Sequence, residues 1–210
     1  MFVSFLIGMK VSQSVTRIDS NMVNTYSVEY DGQIILIDSG MKSSAKRIIS
    51  YYDEIGKKPD IILITHYHLD HVGGLAQLHE KFSPEIYAPN VEIPVIEGKS
   101  KPVQPKGLLS KFVSIMGKTD PVSGVLPAEE FSSDWMTVIE TPGHTPGSTS
   151  YLFEAEKMLF VGDAVNVKNS EASVNRQFSL DLEKAEESKK KIMAMSGVTI
   201  LPGHGEPLKL

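Results

Sequence analysis

Over its first forty residues the chain alternates apolar and polar positions in short runs, at 11–18, 23–30 and 33–38, separated by Asp19-Ser20-Asn21 and Asp31-Gly32. Alternation with a period of two places apolar side chains on one face of a strand, so these runs predict an antiparallel meander. Asp31-Gly32 is a two-residue hairpin signal, because both positions tolerate a positive φ. The period then changes. Ala45, Ile48, Ile49 and Tyr52 recur at helical spacing, which predicts a helix over 43–56 with Ser43 or Ser44 at its N-cap and Gly56 as its stop. Residues 60–65 form a short continuous apolar strand that feeds directly into Thr65-His66-Tyr67-His68-Leu69-Asp70-His71, and a helix follows to about Lys81.

Between 89 and 131 neither period holds. Prolines and glycines recur, and 98–118 carries five lysines and no acidic residue, which reads as an irregular or helical lid inserted into the body. Strand-like runs return at 136–140, 150–153 and 158–161, followed by a charged helix over 181–195 and a last strand at 198–201. The whole of 1–210 reads as a single domain. The apolar run 1–8 is too short to span a bilayer and lacks the basic start of a signal peptide. The expectation is a cytoplasmic protein without membrane contact, in which 2–7 form an edge strand, or an upstream extension if translation starts at Met9.

Composition narrows the chemistry. Twenty-one basic against 26 acidic residues give a net charge of −5, the wrong sign for a protein that gains affinity by neutralising phosphates, so no nucleic-acid partner is expected. The chain has no cysteine, which removes disulfides, thiolate ligands and a cysteine nucleophile together. Any metal must then be held by nitrogen and oxygen.

Five of the six histidines fall in loops that directly follow predicted strands, and only His79 lies inside a helix, where it reads as an ordinary exposed residue. Ligands gathered at strand ends can converge on one edge of a sheet. His66 and His68 are two apart, so in extended chain both imidazoles face the same way and can bind one ion. Asp70 and His71 follow as the chain turns into a helix. A turn there would aim them at a second ion, and Asp70 could also cap that helix. Tyr67, between two candidate ligands, is expected to pack against the sheet. Three more loops each supply one donor: Thr141-Pro142-Gly143-His144-Thr145-Pro146-Gly147, Val161-Gly162-Asp163 and Leu201-Pro202-Gly203-His204-Gly205. Five imidazoles and two carboxylates suffice for two ions with an open position each, since Asp163 has two oxygens and can bridge.

These loops resemble those of the metallo-β-lactamase fold superfamily, with the hydroxyacylglutathione hydrolase (glyoxalase II) branch nearest in its Thr-Pro-Gly-His-Thr-Pro-Gly loop. The resemblance runs from Asp38-Ser39-Gly40 to Pro202-Gly203-His204-Gly205. It implies an α+β fold, a four-layer αββα sandwich with the site at one edge of the two sheets. It also implies that His66, His68 and His144 hold a first metal, that Asp70, His71 and His204 hold a second, and that Asp163 bridges them, the cofactor being two Zn2+ with Fe or Mn as alternatives. Asp38 corresponds to a position from which a carboxylate orients a ligand histidine; a turn-forming role before Ser39-Gly40 accounts for it equally well. Glyoxalase II has a helical domain after the last ligand that grips glutathione, and since only a few residues follow His204 here the expectation is a departure from it in which glutathione thioesters are not assumed. Asp163 departs from the β-lactamases proper, which carry no carboxylate there.

The reaction expected is hydrolysis of a small ester, lactone or thioester by hydroxide shared between the two metals, with the second metal or Asp70, the candidate catalytic side chain, assisting departure of the leaving oxygen or sulfur. Small molecules are the expected partners, and a homodimer stays open. Lys99, Lys101, Lys106, Lys111 and Lys118 surround an apolar patch, Leu108, Leu109, Phe112, Val113, Ile115 and Met116. That patch would suit an anionic or amphiphilic acyl substrate, but the favoured expectation is a solvated helix whose apolar face packs on the body or on a second subunit. The rival activities on the same scaffold are a mononuclear iron persulfide dioxygenase and a phosphodiesterase, and a decayed binding protein is the non-enzymatic rival. A decayed site would normally have lost a ligand, whereas here all seven positions are filled.

Overall fold

In the computed structural model, which describes residues 8–19, 23–103 and 119–210, the opening alternation does form a meander. Strands β1 (Gly8–Lys10), β2 (Val15–Asp19), β3 (Asn24–Tyr30) and β4 (Gln33–Ile37) pair antiparallel in sequence order. The Asp31-Gly32 turn between β3 and β4 has φ of 49° and 74°, as a tight hairpin of this hand requires. The run 11–18 is not one strand. The amides of Val11 and Ser12 both donate to the Val15 carbonyl, so the chain doubles back there and only the part from Val15 onward joins β3.

Helix α1 (Ala45–Ile55) ends at Gly56 in the left-handed conformation. Ser44 occupies its N-cap with helical backbone angles, and its hydroxyl makes no capping bond. After β5 (Ile61–Leu63), the expected single helix is two, α2 (Leu69–Val72) and α3 (Leu75–Phe82). At the break the Gly74 amide leaves the helical pattern and donates to the Gly40 carbonyl at 3.0 Å, and Gly73 admits the close approach, since a Cβ there would lie 2.4 Å from the Leu69 carbonyl oxygen and 2.8 Å from the Lys42 amide. Asp70 therefore sits inside a one-turn helix whose N-cap is His68, and it caps nothing.

The segment 89–131 is more ordered than a lid where it is described. Strand β6 (Glu85–Ala88) leads into a 3-10 turn, Asn90–Glu92, and the short helix α4 (Ile93–Ile96), and β7 (Leu126–Pro127) returns to pair parallel with β6. Ile96, Val122, Val125 and Ala128 are buried, so these flanks belong to the body. Part of the lysine-rich stretch, 104–118, which includes Lys106, Lys111 and Lys118 and the apolar patch, lies outside the described residues, as do 2–7.

The second sheet is built from β8 (Met136–Glu140), β9 (Thr149–Phe153) and β10 (Met158–Gly162), and after the hairpin β11 (Asn166–Lys168) and β12 (Glu171–Ser173) and helix α5 (Leu182–Met193) it is completed by β13 (Thr199–Pro202) and β14 (Leu208–Lys209). Strand order is β1-β2-β3-β4-β5-β6-β7 in the first sheet and β14-β13-β10-β9-β8 in the second.

Side-chain alternation stacks the layers. Ile34, Leu36, Ile62 and Ile64 point to α1 and α3, where they meet Ile48, Tyr52, Leu75, Leu78 and Phe82. Their neighbours Ile35, Ile37, Ile61 and Leu63 point the other way, onto Tyr151, Phe153, Phe160 and Leu201 of the second sheet. Leu159, Val161 and Ile200 face outward onto Ile192 of α5. The result is an αββα sandwich with three apolar interlayers. Helix α5 is held lightly: Ile192 contributes roughly 1.5–3 kcal/mol of burial, aided by Ala185 and by the Ser188 hydroxyl, which donates to the Pro142 carbonyl at 2.7 Å. No described helix is long and apolar enough to cross a membrane.

Strand direction places the loops. β4 runs parallel to β5, β13 parallel to β10, and β8 shares the direction of β10 because both lie antiparallel to β9. Cross-sheet hydrogen bonds fasten their C-terminal ends together. The Tyr151 hydroxyl donates to the Ile64 carbonyl at 2.7 Å, the Thr149 amide to Thr65 O at 3.0 Å, and the Asn24 amide to Gly203 O at 2.7 Å.

Candidate metal centre

At that fastened edge, four strand ends bring together the seven candidate donors anticipated from the sequence. The loop after β5 carries His66 and His68 in extended chain and then turns into α2, which presents Asp70 and His71. The loop after β8 brings His144, the end of β10 brings Asp163, and the end of β13 brings His204.

Two groups of donor atoms form. His66 Nε2 lies 3.1 Å from His68 Nδ1, and His144 Nε2 lies 2.8 Å from the same atom. In the second group His204 Nε2 stands 3.1 Å from Asp70 Oδ2, and His71 Nε2 stands 3.9 Å from it. Asp163 touches both: Oδ2 is 3.4 Å from His144 Nε2, while Oδ1 is 3.4 Å from His71 Nε2 and 3.5 Å from His204 Nε2. Ligand atoms around a four-coordinate ion with bonds of about 2.0–2.1 Å sit about 3.3 Å apart, so most of these spacings are those of a coordination shell. His71 Nε2 and Asp163 Oδ1 are buried without a hydrogen-bond partner among the described residues. Buried polar atoms are rarely left so, and a cation would satisfy both. The donor set thus fits a metal, and imidazole with carboxylate suits zinc or iron.

Electrostatics divide the groups. Burial, with the neighbouring imidazoles, holds His66 well below the usual range, pulls His68 to about 3 and lowers His144, so these three are neutral and ready to ligate. Burial opposes charge on His71 too, but Asp38, Asp70 and Asp163 outweigh it and raise its pKa. His204 is raised despite burial by Asp70 and Asp163. Burial works against charge on Asp70 and Asp163, yet the adjacent imidazoles hold Asp70 at about 2 and Asp163 lower still. In the second group a metal must therefore displace a proton.

Asp38 has the geometry for both of the roles left open for it. Its backbone is left-handed, with φ of 59°, and its carboxylate is buried against the ligands. Oδ1 accepts from the Thr65 amide and Oδ2 from the Thr65 hydroxyl, both at 2.8 Å, and Oδ2 lies 2.7 Å from His71 Nδ1. With the proton of His71 held on Nδ1, its Nε2 is left to face the centre. The Thr65 hydroxyl also lies 3.0 Å from His66 Nδ1, which leaves Nε2 of that ring toward His68.

Other placements differ from expectation or were not anticipated. His79 is half-buried in α3 beside the buried Leu78 rather than exposed, and takes no part in the site. Tyr67 packs in the helix-side core as expected, its hydroxyl donating to Val103 O at 3.1 Å. Thr65, Thr145 and Glu92, which frame the ligand loops, were missed. Glu92 did leave a signal, a lone acid in the apolar run Val91-Glu92-Ile93-Pro94-Val95-Ile96.

Gly203 permits the close approach of β13 to the centre: a Cβ there would lie 2.7 Å from His71 Cε1 and 2.9 Å from Asp163 Oδ1. Gly203→Ala is expected to weaken metal retention about tenfold, within the range seen when ligand orientation is disturbed, while the far-UV circular dichroism stays unchanged. Undiminished retention on dialysis against a chelator would show that the loop gives way freely.

The model of the Metallo-beta-lactamase superfamily matches residues 18–204. "Probable metallo-hydrolase YflN" of Bacillus subtilis is 27% identical, over 96% of this chain and 87% of that protein. "Hydroxyacylglutathione hydrolase" of Klebsiella pneumoniae is 34% identical over 65% of this chain, but the match spans only 44% of the enzyme's length. Among solved structures, TTHA1623 in a di-iron-bound form superposes with a TM-score of 0.73 at 25% identity, covering 91% of this chain and 92% of its own. Rm3 metallo-beta-lactamase also gives 0.73, at 21% identity over 94% and 78%, a likeness of fold.

Proposed function

This chain belongs to the metallo-β-lactamase superfamily, and on that premise we propose that it is a dinuclear metal-dependent hydrolase of a small ester, lactone or thioester. The observation that carries the reading is Asp163, whose two oxygens face different donor groups. His66, His68 and His144 would hold one ion and Asp70, His71 and His204 the other, with Asp163 shared, and zinc is the proposed metal. Two such cations, when bound, polarise an acyl oxygen and make water nucleophilic at neutral pH.

The chain's own groups then have defined tasks. Asp163 and Asp70 stay ionised and balance the added positive charge. An Asp70 held near 2 has no proton of its own to donate, so it assists the leaving atom only by passing on one first taken from the attacking water. Asp38 and Thr65 keep the ligand nitrogens aimed inward.

The curated relatives support hydrolysis, and the hydroxyacylglutathione hydrolases favour an acyl bond to sulfur or oxygen. Since the match covers less than half of the Klebsiella enzyme, the proposal stops at the bond and does not extend to glutathione. The di-iron form of TTHA1623 supports iron as an alternative occupant.

The test is to load the protein with zinc or, under nitrogen, with ferrous iron, and to compare initial rates on S-lactoylglutathione, an acyl-homoserine lactone and an aryl ester. Turnover of at least one, abolished in His68→Ala, is the expected result. Two ions bound without turnover of any would overturn the acyl-hydrolase reading. One iron per chain with consumption of oxygen would decide for the persulfide dioxygenase chemistry instead.

A further inference from the structure

Glu92 is buried to 1% exposure, and no lysine or arginine among the described residues forms an ion pair with it. A carboxylate in that state is costly unless donors surround it. Burial pushes its pKa up to about 7 even against the donors it has. Those donors come from two separate loops. Oε2 accepts from the Tyr67 amide at 2.6 Å, and Tyr67 is the residue between His66 and His68. Oε1 accepts from the Gly147 amide at 2.9 Å and from the Thr145 hydroxyl, and Thr145 directly follows His144.

We propose that Glu92 is the positioning residue of the His66–His68–His144 group, one carboxylate that sets the distance between the loop of the first sheet and the loop of the second. The inference rests on the metal-binding reading above. The two loops leave different sheets, and the cross-sheet bonds at Ile64 and Thr65 fix only the strand ends behind them. Beyond those ends, Glu92 receives the backbone on one side and the backbone and hydroxyl on the other. Gly147 makes room for this: a Cβ there would lie 2.7 Å from Glu92 Cγ. Thr145 is itself locked, its amide donating to Ser148 Oγ at 2.9 Å, so its hydroxyl is presented in a fixed direction. The Asp70–His71–His204 group shares no hydrogen bond with Glu92, which meets only the charge of His71 through space, and is supported from behind by Asp38. The hydrogen bonds of Glu92 go only to the loops of the first half, so removing it should be felt mainly there.

Glu92→Gln keeps the volume but turns one acceptor into an NH2 that must face the Tyr67 or the Gly147 amide. The experiment is a competition titration of apo-protein with zinc against a chelator, with the two binding steps assigned by His68→Ala and His204→Ala. The expected result is a loss of about tenfold or more at the histidine step, the scale of an outer partner of a ligand, with the other step unchanged. Tyr52→Phe, which removes a buried hydrogen bond to Ser27 Oγ away from the centre, serves as the control and should lower Tm without moving either step. Equal weakening of both steps, or a lower Tm with both affinities intact, would make Glu92 merely structural and overturn the proposal. Should the glutamine variant fail to fold, Thr145→Val removes one donor alone and should give a smaller loss at the same step; no loss there also overturns it. Failure of the unmodified protein to take up zinc would instead sink the metal reading itself.

Discussion

Asp163→Asn is expected to loosen both ions at once and to cost activity in proportion. Asparagine keeps the shape of the side chain but leaves one oxygen where there were two, and an amide nitrogen does not ligate. In the native chain Oδ2 serves the His144 side and Oδ1 the His71 and His204 side, so whichever way the amide turns, one half loses a donor and the other loses charge. The loss should be about a hundredfold or more in zinc affinity, since even residues that only orient a ligand contribute about 10–100-fold. Metal content after dialysis against a chelator, measured beside the initial rate, checks it. Two ions retained at native affinity would remove Asp163 from the bridging position.

Asp38→Asn should act on one half. Asparagine tolerates the left-handed backbone that Asp38 adopts, so the turn itself survives. The carboxylate, however, accepts at every contact it makes, from the Thr65 amide and hydroxyl and beside His71 Nδ1. An NH2 toward His71 would donate to Nδ1, shift the ring proton to Nε2 and so block the atom that faces the metal. An NH2 toward the Thr65 amide would set donor against donor. Zinc affinity at the Asp70–His71–His204 step is expected to fall about 10–100-fold, with the His66–His68–His144 step far less changed. Titration of both steps measures this directly, and an unaltered second step would mean that His71 keeps its tautomer unaided.

The gathering of the seven candidate donors was legible because each is attached to a local rule. A continuous apolar run that ends in Gly, Pro, His or Asp marks a strand edge, and edges of parallel strands converge. The same logic made Ile61 to Ile64 readable as a buried strand, whereas Ile34 to Ile37, grouped with the alternating runs, are buried on both faces against that expectation. What stayed hidden depends on distant chain. Nothing near Gly73 announces that residues 39–42 will lie against it and divide a helix in two. Glu92 gains its meaning only when loops more than twenty and fifty residues away arrive, at separations of 25 and 55. The flanks of the 89–131 segment read as lid because β7 is two residues long and finds its partner β6 only in the folded sheet. Ser44 misled in the opposite sense: a good capping residue stands at the right place, but with helical backbone angles its hydroxyl does not turn back to the first amides.

The cross-sheet arrangement of the donors also bears on when the centre comes into being. His68 meets a partner 76 residues away and Asp70 one 134 residues away, so neither half exists until both sheets have docked. Closing loops of that length is slow and comes late in folding. A half-folded chain would offer only local pairs, His66 with His68 and Asp70 with His71, too little to capture an ion firmly. Metal supply then selects among finished molecules and does not steer the route to them. An ion present at a hundredfold above its dissociation constant adds about 2.7 kcal/mol to the native state alone. The lifetime of the folded protein is in this sense set partly by its surroundings, and scarcity of metal would shorten it before any residue is changed.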